Sequence, residues 1–450
     1  MIQNQASHYL NETLKLNKDY FNTQRFRAIE KLLDYYGGDN TEQYTKEFFK
    51  SSAYTETPII TTNMTKRLID RISQLYTLGA SRNLGASKSV NDLYANITKP
   101  KDLRLKHIEK MTNLLGTVAV HICWDVQMQS IDYVPIYYYD VHLDPNNPLN
   151  AIGIEYPIQN PVEDRYQPGK NLYKYYDAEK IQTLDSEKKV ISEEPNPYGI
   201  FPFVFLHKDH QLDSFFCYPA YDIMSSNEAL NILFTEISLG LRYNLFGQYV
   251  VSGVYQDSKV ERFGSDEVIT IPEEADMSIL NPSGNINDAL RFARTLMEIV
   301  AQNHHLTISV METHQDRPSS GIALKIKELE RNETRLDTKE LWRFYEHRMH
   351  SIEKVISNYN GYNIDYEFEV DFNEPDLPIA VKDEIEMNTW KLENNLTTRE
   401  KILQKENNEL SDKEAAEIIR KNKEQNGQTE KGPEESGTIF SRLRNQAATN

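Results

Sequence analysis

Eleven histidines, two cysteines and 68 carboxylates are the groups from which this 450-residue chain could build a reactive or metal-binding centre. His304 and His305 are adjacent at the end of a helical pattern, and His347 and His350 lie three apart on the face of another. A metal site needs a third ligand converging on the same point, and neither pair has one nearby in sequence. The first pair is therefore read as favourable charge against free carbonyls at a helix C-terminus, the second as surface. Glu273-Glu274 with Asp276, and Asp383-Glu384 with Glu386, could bind a divalent cation, but solvated turns and helix N-termini are the simpler account. There is no G-x-x-x-x-G-K-[ST] loop to cradle a triphosphate, no G-x-S-x-G elbow and no H-E-x-x-H helix. Trp124, Trp342 and Trp390 read as core anchors, because no basic residues interleave with the aromatics as a base-stacking platform requires. The expectation is a chain that is not an enzyme and carries no cofactor or metal.

The formal charge of −18 argues against a protein that grips nucleic acid by displacing counterions from many phosphates. It fits ordinary solubility, or a surface that repels DNA so that DNA can slide. With only Cys123 and Cys217 there is no disulfide framework and no thiolate zinc site of the usual kind, which points to a reducing compartment. No charged region followed by an apolar run opens the sequence, and no stretch of about 18 apolar residues occurs, so neither a secretory signal nor a membrane span is expected.

The elements that would position these groups follow from periodicity. Helical spacing runs from Asn11 to about Tyr36, from Thr61 to Leu78 and from Leu103 to Leu115. Gly116 to Asp125 then switches to β-branched and aromatic residues, and a strand-rich stretch continues to about Phe205. Ser225 with Glu228 has the spacing of a capping box, opening a helix that runs to Phe246 with Leu230, Leu233, Phe234, Ile237 and Leu241 on one apolar face. Gln248 to Gly284 reads as short strands and turns, and a second helix covers Ile286 to Asn303. A long, charge-rich helix reaches about Asn358, with a largely solvated or salt-bridged face. Asn363 to Phe372 alternates as a strand, and Thr397 with Glu400 and Ser411 with Glu414 each open a short helix.

The order of these elements and several strings resemble the portal proteins of tailed double-stranded DNA bacteriophages. Ser319-Ser320-Gly321-Ile322-Ala323-Leu324-Lys325 is similar to the S-G-x-A-L-K that opens the long kinked helix of that family. Gly116-Thr117 to Trp124-Asp125, Asn196-Pro197-Tyr198-Gly199 with Phe201-Pro202-Phe203, and Phe372-Asn373-Glu374-Pro375-Asp376-Leu377-Pro378 follow the same order over roughly residues 100 to 425. The resemblance implies an α+β, mainly helical fold. Its parts are a wing (1–220 and 320–378), stem helices at 221–247 and 285–305, a clip at 248–284, a small crown at 379–425 and a disordered tail at 426–450. The long-helix motif would be Ser320, Gly321, Ala323, Leu324 and Lys325.

The family assembles as a ring of about twelve subunits at one capsid vertex, the channel for genome packaging and ejection. On this sequence the resemblance implies a DNA-facing tunnel loop of Thr307, Ile308, Ser309, Val310, Met311, Glu312, Thr313, His314, Gln315, Asp316 and Arg317. Implied partners are the large terminase packaging motor, a head-to-tail adaptor, the major capsid and scaffolding proteins, and duplex DNA passing without sequence specificity. The implied location is the virion, after assembly in the host cytoplasm, with no membrane contact. The clip segment carries Asp257, Glu261, Asp266, Glu267, Glu273, Glu274 and Asp276 against Lys259 and Arg262. Repeated around a ring this becomes a negative belt, screened over about 8 Å at physiological salt, which either keeps DNA mobile or serves solubility. Competing readings are an adaptor or minor capsid protein, a metal-dependent nuclease using the acidic clusters, and a cytoplasmic interaction protein.

Overall fold

The computed structural model describes residues 24–49, 58–158, 172–211, 214–246, 248–252, 276–280, 286–306, 329–373, 381–394, 396–406 and 412–426. In chain order the helices are α1 (Gln24–Gly37), α2 (Thr41–Phe48), α3 (Met64–Ile72), α4 (Lys88–Ile97), α5 (Lys101–Leu115), α6 (Tyr221–Phe246), α7 (Ile286–Asn303), α8 (Leu329–Tyr359), α9 (Val381–Glu393), α10 (Arg399–Glu406) and α11 (Asp412–Asn426). The strands are β1 (Ala80–Asn83), β2 (Thr117–Asp125), β3 (Ser130–Ile136), β4 (Asp140–Asp144), β5 (Asn147–Ile158), β6 (Leu172–Asp177), β7 (Lys180–Leu184), β8 (Val190–Pro195), β9 (Phe203–His207), β10 (Gln248–Ser252), β11 (Asp276–Leu280) and β12 (Glu369–Phe372). The fold is mixed α+β, as the periodicities predict. One compact unit comprises Met1–Asp316 with Ile326–Pro375, and a second comprises Arg317–Lys325 with Asp376–Asn450.

The first unit is organised around α5 and the strand that follows it. Leu105, Ile108 and Leu114 of α5 are fully buried. Gly116 then turns the chain with φ +78, and a Cβ there would lie 2.4 Å from the Cys217 carbonyl oxygen, so both the dihedral and the close approach require glycine. β2 emerges as the central strand of an antiparallel sheet ordered β3-β2-β9, while β4 to β8 form a five-stranded antiparallel meander. Strand alternation splits the core. Val118, Val120, Val204 and Leu206 face the helices, whereas Ala119, Phe203 and Phe205 face a second cluster with Tyr139, Val141, Ile154 and Tyr176 from the meander.

The long helix α8 is joined to this body by buried charge, so of the two expected characters, solvated or salt-bridged, the second holds for the face that carries Glu346 and Glu353. Glu346 and Glu353, seven residues apart and so on one face, are fully buried, as is Lys101 at the first position of α5. Lys101 Nζ lies 2.7 Å from Glu346 Oε2 and 2.7 Å from Glu353 Oε1. Arg82 of β1 reaches Glu346 at 2.7 Å and Asp102 at 2.8 Å. The hydroxyl of Tyr76 donates to Glu346, and those of Tyr94 and Tyr133 donate to Glu353, at 2.7 to 2.9 Å. Burial alone would raise both carboxyls. Lys101 and Arg82 outweigh it for Glu346, and Lys101 and His350 for Glu353, so both sit below the ordinary range. Their contribution to stability is therefore present above the unfolded-state value of 4.5 and is lost as pH falls below it.

Other expectations change for local reasons. His350, read as surface, is buried and stacked on Phe368 at 4.3 Å. The helix expected to reach Leu78 stops at Ile72, because Glu109 accepts the N–H groups of Leu75 and Tyr76 and holds them in a 3-10 turn at Leu75–Thr77. Only the end of the alternating segment, β12, is strand; it pairs with β1 and buries Val370 and Phe372. Asn363 instead accepts the N–H of Asp365 in a local turn. In the second unit, Thr398 rather than Thr397 accepts a backbone N–H at the start of α10, and Trp390, read as a core anchor, is 56% exposed. Ser411 and the tail beyond Asn426 lie outside the described residues.

Replacing Lys101 by Met removes the buried ammonium that faces Glu353 at 2.7 Å. We expect a loss of about 3–5 kcal/mol in urea unfolding, substantially recovered when Glu353 is also changed to Gln. A loss under about 1 kcal/mol for Lys101→Met alone would show that the buried charge is not what fixes α8.

Candidate functional site

The feature most suited to a function is the pair α6 and α7 with the hairpin between them. α6 spans 26 residues and α7 spans 18, lengths of about 39 and 27 Å at 1.5 Å per residue. β10 follows α6 almost directly and pairs antiparallel with β11 from Gln248↔Leu280 to Ser252↔Asp276. The helices must therefore run antiparallel, with the hairpin at one end.

At the other end the two helices are tied together. His304 Nε2 and Asp222 Oδ2 are 2.7 Å apart, joining the end of α7 to the first turn of α6. This is a side-chain partner rather than the carbonyls expected for His304. His305 adopts φ +54 and the N–H of Leu306 reaches back to the Ala301 carbonyl at 2.9 Å, a reversal that closes α7 and fixes where the chain departs. The departure point borders a cleft of about 210 Å³ that is also lined by Arg71, Arg335 and the buried Glu109. Burial pushes the Glu109 carboxyl up to about 7, against the opposing pull of the Leu75 and Tyr76 N–H groups, Lys110 and Arg335.

α6 is fixed to the body by polar contacts. The expected capping box is absent, because the helix already begins at Tyr221: Ser225 turns back to the Asp222 carbonyl, and Glu228 pairs with Lys31 at 3.0 Å. Asn227, Asn231 and Thr235, four residues apart, are fully buried. Asn227 accepts the Thr65 N–H at 2.8 Å and donates to the Thr62 carbonyl at 2.9 Å. Asn231 accepts the Thr62 N–H at 2.8 Å, and Thr235 accepts the Ile60 N–H at 3.1 Å. The extended strap at residues 60–63 and the start of α3 at Thr65 thus satisfy backbone groups on one side chain per turn of α6. The only sequence signal for this ladder is the i, i+4, i+8 spacing of amides and hydroxyl within an otherwise apolar stripe.

The apolar positions of the pair divide. Leu230, Ile237, Ala293, Val300 and Ala301 are buried, and Leu233, Phe234, Leu296 and Met297 pack against the core. Leu241, Leu290, Phe292 and Ile299 are 41–61% exposed.

Of the clip, tunnel-loop and long-helix residues singled out from sequence, only Asp276 falls among those described: it opens β11 opposite Ser252. The loop Thr307 to Arg317, the motif Ser320 to Lys325, and Asp257, Glu261, Asp266, Glu267, Glu273 and Glu274 lie outside the described residues. In the other acidic cluster, Glu386 is exposed on α9. Among the described residues no group of three His, Cys, Asp or Glu side chains could hold a metal ion, and no helix is long and apolar enough to cross a membrane.

No protein-family model matches the chain, and neither does any curated protein. Solved structures do. A chain from the neck of an empty GTA particle, computed with C6 symmetry, aligns over 81% of this chain and 92% of its own at 13% identity and a TM-score of 0.39. A chain from the virion of a native gene transfer agent particle aligns over 82% and 93% at 12% identity and 0.39. One from the neck of a native GTA particle, computed with C12 symmetry, aligns over 77% and 89% at 10% identity and 0.40.

Asn227→Ala and Asn231→Ala each leave buried groups of the strap unpaired, and each is expected to cost about 2 kcal/mol in chemical unfolding. The double variant should cost less than the sum, because both side chains serve Thr62. Full additivity would mean that the two amides act independently rather than as one ladder.

Proposed function

We propose that this chain is the portal subunit of a tailed-phage-like particle: a non-enzymatic protein that closes into a ring of about twelve copies at one capsid vertex and passes duplex DNA in packaging and ejection. The observation that carries the reading is the antiparallel pair α6–α7, tied at its base by Asp222 and His304 and ending in the β10–β11 hairpin. It is the helix, small β insertion, helix outline that the ordered family strings imply, with its base fixed to an α+β body.

Several features fit the ring. Leu241, Leu290, Phe292 and Ile299 are exposed on the helix pair of a single copy and would be covered by the neighbouring copy's helices. In this reading α6 and α7 are the stem, residues 248–284 are the clip that meets the large terminase motor and then the head-to-tail adaptor, and α9 to α11 belong to the crown. The wing would contact the major capsid and scaffolding proteins. Thr307 to Arg317 would form the tunnel loop, leaving the stem where α7 is closed by the Leu306 reversal, and Ser320 to Lys325 would open the long helix that α8 continues. The net charge of −18 suits a channel that lets DNA slide rather than one that grips phosphates. The acidic residues of the clip would line one end of that channel as a repulsive belt.

The test is nuclease-protected DNA in particles assembled with variants of this chain. Replacing residues 253–275 by a short glycine-serine turn should leave the body folded and the particles formed but abolish protected DNA, because the motor has lost its docking site. Glu273→Gln with Glu274→Gln and Asp276→Asn should reduce protected DNA several-fold, most at low salt where the belt is least screened. Wild-type yield from the turn replacement would refute the portal reading, and wild-type yield from the triple variant would leave the acidity with solubility alone.

A further inference from the structure

Two strand edges of the first unit differ in kind: β9, whose residues are buried at the floor of a groove, and β8, whose residues are exposed. In the three-stranded sheet, the bonds Lys208 N–H to Gly116 and Ile122 N–H to Pro202 show that the N–H and C=O groups of Phe203, Phe205 and His207 point away from β2. The outward N–H of His207 is taken by the Tyr345 hydroxyl at 3.1 Å, while the outward groups of Phe203 and Phe205 have no hydrogen-bond partner among the described residues. This edge forms the floor of a groove of about 480 Å³, walled by Ile152 of the meander on one side and by Arg348 and Ser351 of α8 on the other. Arg348 is exposed, and its only described contact is the Phe344 ring at 5.7 Å. His207, also facing the groove, is kept neutral: burial and the nearby Arg348 lower it to about 3. The groove thus presents free strand-pairing groups, aromatic walls and one unpaired cation.

The second edge is β8, the outermost strand of the order β4-β5-β6-β7-β8. All six of its residues are exposed, including Val190 at 52% and Ile191 at 58%. The bond from Asn196 N–H to the Glu179 carbonyl sets the register in which the backbone of Glu193 faces outward. Glu193 is engaged at home by Gln182 and Lys180, whereas Glu194 has no described partner. β8 lies three strands from β5, whose residues wall the groove, a distance of about 14 Å at 4.8 Å per strand. Within its own chain β8 is held by β7, so its free edge is offered outward.

We propose that β8 of one copy adds as a strand along the β9 edge of the next, with Glu194 meeting Arg348. This deepens the ring reading above and rests on it: joining two different edges of one chain is a head-to-tail contact, the kind that closes into a ring. Main-chain bonds give the affinity, as in other strand additions, and Val190 or Ile191 enters the aromatic groove. The two glutamates and Pro195 guard β8 against indiscriminate pairing, since an acidic edge is repelled by another copy of itself and accepted where a cation waits.

The test is charge reversal at two exposed positions, Glu194→Arg and Arg348→Glu, read by native mass spectrometry of the full chain. Each single reversal should weaken assembly at least tenfold, and the double reversal should restore it. Single reversals that assemble like the wild type would overturn the strand pairing and leave the ring reading standing. A wild-type chain that does not assemble would count against the ring reading, and the pairing would then be decided separately. In that case Glu194→Cys chains are mixed at high concentration with Arg348→Cys chains and a short bismaleimide. A cross-link above the wild-type background supports the pairing, and its absence overturns it.

Discussion

A lysine buried at the start of a helix holds this molecule in register. Lys101 stands where the helix dipole disfavours a cation and where no water reaches it. It is tolerated because Glu346 and Glu353 converge on it from successive turns of α8 while Arg82 balances the second negative charge. The main unit is otherwise assembled from pieces remote in sequence. Residues 76, 82, 94, 101 and 133 on one side meet 346 and 353 on the other, so this cluster is where the long helix is fixed to the body. Apolar packing of Trp342, Met349 and Ile356 supplies cohesion, but apolar surfaces slide more readily than a three-carboxylate, two-cation cage whose tyrosine hydroxyls are all directed.

The pair α6–α7 depends on a second polar device of the same logic. Asn227, Asn231 and Thr235 spend buried amides and a hydroxyl on the backbone of the strap at 60–63 and the start of α3, and Asp222 with His304 joins the two helices where they leave the body. Both devices put directional bonds where a helix needs a fixed rotation about its axis, and leave non-directional apolar contact on faces that a neighbouring copy would cover. A ring whose subunits must keep one stem orientation while DNA passes would need that division.

Much of the outline is legible in the sequence. The 3.6-residue period of Leu290, Ala293, Leu296, Met297 and Val300 places α7 at its observed bounds, and the shift to β-branched residues after Gly116 marks β2. Apart from the local turns, the failures at charged and polar residues share one cause: rules that treat such a side chain as exposed cannot see partners that are remote in sequence. His350 looks like surface, and the face of Glu346 and Glu353 could be solvated or salt-bridged, because Lys101, Tyr94 and Phe368 are not close sequence neighbours. Ser225 and Glu228 have capping-box spacing, yet α6 starts a turn earlier, where Asp222 meets His304, and Glu228 serves Lys31 instead. The loop Thr307 to Arg317 and the motif before α8 are expected only from the strings that resemble the portal family, and both lie outside the described residues.

The most direct measurement is electron microscopy of the purified chain, with class averages viewed along and across the particle axis. The account predicts closed rings of about twelve subunits with a central channel, and in side view a narrow projection at one end where the helix pairs and their hairpins gather. A population that remains monomeric or dimeric at high concentration, or that forms rings without a channel, would contradict it.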